Sequence, residues 1–120
     1  CQVASIEPSL HDRLMAAVSH LPHVAAFALA ASLADALPLV ESNALPGRPT
    51  TSLRDTIRIA ASSPQVWRDI LLANREHLLP LVRELEQRVN TIGAAMAAGD
   101  AAALEAALAF GQACRERLVK

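Results

Sequence analysis

The feature that most constrains this chain is a series of residues stepping by three and four: Leu71, Asn74, Leu78, Leu81, Leu85, Val89, Ile92 and Met96. That spacing keeps one side chain per turn on a single stripe of an α-helix and resembles the seam of a coiled coil. A strand cannot present it, because side chains there alternate with period two. The spacing predicts one long amphipathic helix, starting at Ser63-Pro64 and bent near Pro80. Ser63 is the expected N-cap and Pro64 the first helical residue; Gly99-Asp100 is expected to end the helix and cap the last one. A seam this long exceeds what a small chain covers easily, so burial against a second copy predicts a homodimer. An intramolecular bundle is the competing solution.

Composition supports an all-α domain. The 120 residues suit a single domain, and 52% are hydrophobic, enough for a core. Aromatics make up only 2%, namely Phe27, Trp67 and Phe110, and alanine, the best helix former, takes their place. The formal charge of −1, with mixed signs, offers no basic stripe for nucleic acid. Cys1 and Cys114 form neither a disulfide framework nor a zinc spacing, so a reducing cytoplasm is expected.

Leu14 to Ala34 lacks Asp, Glu, Lys and Arg and is long enough to span a bilayer. It is rich in alanine, however, and holds Ser19, His20, Pro22, His23 and Ser32. A buried helix at the centre of a bundle explains it better than a membrane span.

Residues 1–6 read as a strand with nothing in the chain to pair with. Residues 1–8 are therefore expected to be the remnant strand and linker of a preceding domain, and residues 9–120 the helical domain. Ser9, with Asp12, is the expected cap of a first helix running to Leu37-Pro38, kinked at Pro22 beside Ser19, His20 and His23. Leu39 to Thr50 is a connector, and Ser52 with Asp55 opens a short helix through Ala61.

Three stretches could carry chemistry. His20 and His23, three apart, share a helix face around a proline. With His11 they suggest a metal site, though no carboxylate completes it. Histidines satisfied by hydrogen bonds in a bundle are the simpler reading. Arg58 lies between Ile57 and Ile59, with Asp55 one turn earlier as a possible ion-pair partner. A partly enclosed guanidinium suits a carboxylate ligand. Trp67, the single tryptophan, follows a helix start, where a core or interface anchor is the ordinary role.

Read together, "HDRLMAAVSHLPH" at 11–23 and "RDTIRIAASSPQVWRDILLANRE" at 54–76 resemble the C-terminal domain of prephenate dehydrogenases in order and spacing. The preceding "VASIEP" resembles the last strand of that family's dinucleotide-binding domain. The resemblance implies a parent enzyme that oxidatively decarboxylates prephenate, or arogenate, with NAD or NADP on the route to tyrosine. It implies that Arg58, supported by Asp55, binds a substrate carboxylate, that His20 and His23 line the same pocket, and that Trp67 sits near the cleft with reach from the partner subunit. Tyrosine inhibits some members. The cofactor site and the catalytic histidine would lie upstream, leaving this piece with no activity of its own. Thr51-Ser52-Leu53 and Ile57 depart from the family pattern, which bears on ring-side specificity and tyrosine feedback. The alternatives are a free-standing helical interaction module and a metal bundle through His11, His20 and His23.

Overall fold

A computed structural model describes residues 3–42 and 51–120. Its regular structure is entirely helical there: α1 (Pro8–Met15), α2 (Leu21–Ser32), α3 (Leu37–Glu41), α4 (Thr51–Ile57), α5 (Pro64–Ala73), α6 (Arg75–Ala98) and α7 (Ala101–Leu118). The chain divides into two compact units, Cys1–Leu81 and Val82–Lys120.

In the first unit, Glu7 and not Ser9 caps α1. Pro8 occupies the first helical position with φ already set, and the Glu7 carboxylate accepts from the Ser9 and Leu10 amides at 3.1 and 3.0 Å. Residues 3–7 take part in no strand pairing among the described residues. The expected single helix to Leu37 is instead interrupted. A π turn spans Ala16–His20, with the Leu21 amide donating to the Ala16 carbonyl, and a 3-10 turn spans Ala34–Ala36. Proline at position 22 supplies no amide and crowds the turn before it, and the widened π turn absorbs both defects. The helix path is thus disturbed where Pro22 predicts, by a π turn that the residue spacing alone does not specify.

The expected connector is helical at its start, since α3 runs through Glu41, while Pro46-Gly47 and Pro49 lie outside the described residues. Ser52 sits inside α4 rather than at its cap, and its carbonyl accepts from the Thr56 hydroxyl at 2.7 Å. A 3-10 turn, Arg58–Ala61, continues α4, and both pack on α2. Ser63 caps α5 as expected, accepting from the Val66 amide at 3.3 Å.

The long seam breaks at Asn74, which ends α5; α6 then carries Pro80 inside it. Asn74 and Leu78 are buried, and Leu71 and Leu81 half-buried. The run Pro8–Ser32 is not the enclosed central helix its composition suggests. It is long and apolar enough to cross a membrane, and only Ala16, His20 and Ala26 along it are buried.

The second unit is a helical hairpin. At Gly99, φ is +63°, the Asp100 amide donates to the Ala95 carbonyl at 3.0 Å, and the Gly99 amide donates to the Met96 carbonyl at 3.1 Å. This left-handed cap suits glycine, and Asp100 then starts α7 by accepting from the Ala103 amide at 3.0 Å. Across the hairpin the Arg88 guanidinium lies 4.7 Å from the centre of the Phe110 ring.

Candidate functional site: a histidine pair on a tryptophan

Three of the expected site residues come together in the first unit. The π turn delivers His20, the first turn of α2 delivers His23, and α5 brings Trp67 against both. The His23 and Trp67 rings stack with centroids 3.5 Å apart at 14°; His20 meets the same indole edge-on at 5.9 Å and 81°. Trp67 is therefore a half-buried platform for the histidines of its own chain.

Hydrogen bonds define the two imidazoles differently. His23 Nδ1 lies 2.8 Å from the Ser19 carbonyl, which can only accept, so Nδ1 carries the proton. In neutral His23 the lone pair is then on Nε2. His20 Nδ1 lies 3.1 Å from Asn74 Nδ2, and the same Nδ2 lies 2.8 Å from the Asp12 carbonyl. An amide NH₂ has two protons, and here each has its own acceptor. His20 Nδ1 is therefore the acceptor, and neutral His20 carries its proton on Nε2. No buried side-chain nitrogen or oxygen among the described residues lacks a partner. None of these bonds uses the Nε2 atom of either ring. The pair thus offers an N–H donor on His20 and a lone pair on His23.

Burial lowers the pKa of His20 from its ordinary value, because the cationic form loses hydration; the neighbouring His23 adds to the effect. Asp12 opposes it, and His11 acts weakly in the lowering direction. The hydrogen bond from Asn74 also requires the neutral form. His11 pairs with Asp12 at 3.3 Å on the exposed surface. No group of three potential metal ligands converges among the described residues, so the metal alternative through His11, His20 and His23 finds no site there.

Arg58 is placed otherwise than its sequence neighbours suggest. It is exposed, and no ion pair joins it to Asp55, which is exposed too. Ile57, Ile59 and Ala60 are half-buried; turning them inward leaves Arg58 on the outside of the 3-10 turn. Arg58 and Asp55 line one depression of about 470 Å³ with Thr51, Arg54, Ile57 and Ala61. Arg54, a second guanidinium on this depression, was not singled out from the sequence. The other residue missed is Asn74, which the spacing assigned to the seam. A polar residue at a seam position was the signal that could have marked it.

A family model described as the dimerization domain of prephenate dehydrogenase matches residues 7–110. The chain belongs to the prephenate dehydrogenase family. Membership in this dehydrogenase family disfavours the reading as a free-standing interaction module. Among curated relatives, the cyclohexadienyl dehydrogenase of Zymomonas mobilis is 34% identical over 95 residues, covering 75% of this chain and 30% of that protein. The prephenate dehydrogenase of Bacillus subtilis is 36% identical over 90 residues, covering 72% of this chain and 23% of that protein. The chain thus spans less than a third of the length of these relatives. Among solved structures, the prephenate dehydrogenase of A. aeolicus in complex with hydroxyphenyl propionate and NAD⁺ matches with a TM-score of 0.74 and 32% identity, over 98% of this chain and 40% of that one. The Synechocystis arogenate dehydrogenase matches with a TM-score of 0.79 at 20% identity, over 98% of this chain and 42% of that one, a likeness of fold.

No strand, and so no strand-to-helix glycine loop of the kind that cradles a dinucleotide, occurs among the described residues.

Proposed function

We propose that this domain is the substrate-side and dimerising part of an NAD- or NADP-dependent dehydrogenase that oxidatively decarboxylates prephenate, or arogenate, towards tyrosine. The observation that carries this reading is the pairing of His20 and His23 on Trp67, with the turn that bears Arg58 packed on the helix that bears His23. The substrate is a carboxylate anion. An exposed guanidinium with planar donors can grip a carboxylate with two parallel bonds, and it is accessible without rearrangement. In this reading Arg58 is the anchor, Asp55 tunes it from the same depression, and His20, His23 and Trp67 shape the neighbouring wall. In this reading the dinucleotide and the acid–base group for the reaction belong to a preceding domain, while Glu7 and Pro8, as cap and first residue of α1, are already part of the helical one.

The same reading makes the protein a cytoplasmic homodimer without nucleic-acid or membrane partners, with tyrosine as a candidate inhibitor. The homodimer is supported by the amount of large apolar surface left open: Val18 is 68% exposed, Val89 60% and Met96 65%. Faces of this kind mark association surfaces, and a second copy would cover them.

The test is Arg58→Ala in the full-length protein. A lost charge-assisted hydrogen bond is worth about 1.5–3 kcal/mol, so KM for prephenate should rise about tenfold or more. Cofactor affinity should not move. A folded, dimeric variant whose KM stays within about twofold of wild type, too little for such a bond, would remove Arg58 from the site.

A further inference from the structure

We propose that Asn74 is a positioning residue that locks His20 in its Nε2–H tautomer, so that the site always presents an imidazole donor at that position. The inference deepens the proposed function and rests on it for its purpose, but its test needs no substrate.

The argument begins with the break in the seam. Asn74 stands where the apolar stripe calls for another leucine, ends α5 with φ −109° and ψ 19°, and is only 8% exposed. An amide at a buried position is costly unless its hydrogen bonds are made. Asn74 Nδ2 makes two, to the Asp12 carbonyl and to His20 Nδ1. The Asp12 carbonyl decides which way the amide faces, since an oxygen placed there would meet another oxygen. With that edge fixed as NH₂, His20 can only accept at Nδ1.

A free imidazole exchanges tautomers readily, and a site that needs a donor at Nε2 would spend part of its time with a lone pair there. Asn74 removes that ambiguity. It does so from 54 residues away in sequence, by tying the end of α5 to α1 and the π turn. His23 is set the opposite way by a purely local bond to the Ser19 carbonyl, four residues back. The two histidines therefore hold complementary hydrogen-bonding roles through two independent devices, one tertiary and one local. The titratable neighbours of His20 are His23 on α2 and His11 and Asp12 on α1; α5 and its C-cap bring the indole of Trp67 and the Asn74 amide.

The experiment is long-range ¹H–¹⁵N correlation of the imidazoles in the full-length protein labelled with ¹⁵N-histidine, with His20 assigned by the signals lost in His20→Gln. In wild type at neutral pH, His20 should appear as a single Nε2–H tautomer, with Nδ1 unprotonated. In Asn74→Asp, where the side chain offers only acceptors, His20 should gain a proton on Nδ1, as the other tautomer or as an imidazolium persisting to higher pH. His23 should keep its Nδ1–H signature in both. Wild-type His20 with Nδ1 protonated, or averaged between tautomers, overturns the proposal, and that measurement stands even if the variant does not fold. An Asn74→Asp protein whose His20 spectrum is unchanged overturns it too. A correct tautomer result together with no turnover of prephenate would count against the proposed substrate and leave the role of Asn74 intact.

Discussion

The two units of this chain solve the same problem, stabilising helices made largely of alanine and leucine, in different ways. Up to Leu81, the buried positions include two polar side chains, His20 and Asn74, bonded to each other. Beyond it, Ala95 is the one buried residue among those described, and Val89, Met96, Leu108 and Phe110 are all more than half exposed. Buried polar groups demand particular partners in particular orientations, so they specify one arrangement. Small and apolar residues make no such demand and leave a surface that any complementary apolar face can cover. In the proposed reading the first unit is suited to a site and the second to association.

The largest effect should come from placing a charge on the open face of the second unit. Met96→Asp should weaken the dimer by at least about a hundredfold, since an unpaired charge in an apolar contact costs roughly 3 kcal/mol or more. Sedimentation equilibrium over micromolar concentrations reads this directly, and an unchanged association constant would show that the face is not the one covered.

Next comes acidity, which should act on the first unit alone. His20 has a lowered pKa in the folded state, so between that value and the ordinary one, roughly 6.5, the unfolded chain binds more protons than the folded one. The stability from neutral His20 is therefore complete above the ordinary pKa and declines as pH falls towards the folded value. Denaturant unfolding at pH 7.5 and 5.5 should show a drop that shrinks in His20→Gln. The second unit contains no histidine, and amide exchange there should not follow this titration.

A smaller loss is expected at the hairpin turn. Gly99→Ala meets no steric obstacle, so its cost is the left-handed backbone alone, about 1–2 kcal/mol. Thermal unfolding measures it, and a neutral result would mean that the turn relaxes to another conformation. Smallest is the Arg88–Phe110 contact, where a double-mutant cycle should give a coupling of about 0.5–1 kcal/mol for an exposed cation–π pair. A coupling of zero would leave the hairpin held by its cap and its small residues only.

Much of this molecule follows from local rules that the sequence states outright. Alanine content and three-and-four spacing determine helices. Ser63-Pro64 and Gly99-Asp100 determine where two of them begin and where a third ends, because caps involve only neighbouring residues. The sequence also placed His20 and His23 on one helix face and Pro22 at a disturbance. What it left open depended on contacts between distant segments. The π turn in place of a simple kink and the exposure of Arg58 each turn on how α1, α2 and the Arg58 turn are packed, whereas Glu7 in place of Ser9 as cap is a local choice made by Pro8 at the first helical position. Asn74 is the clearest case: by spacing it is one more seam position, and only its approach to the Asp12 carbonyl and to His20 makes it the residue that orders the site. A hydrogen bond across 54 residues leaves no periodic trace in a sequence, since its partners are chosen by the fold and not by the chain's repeat.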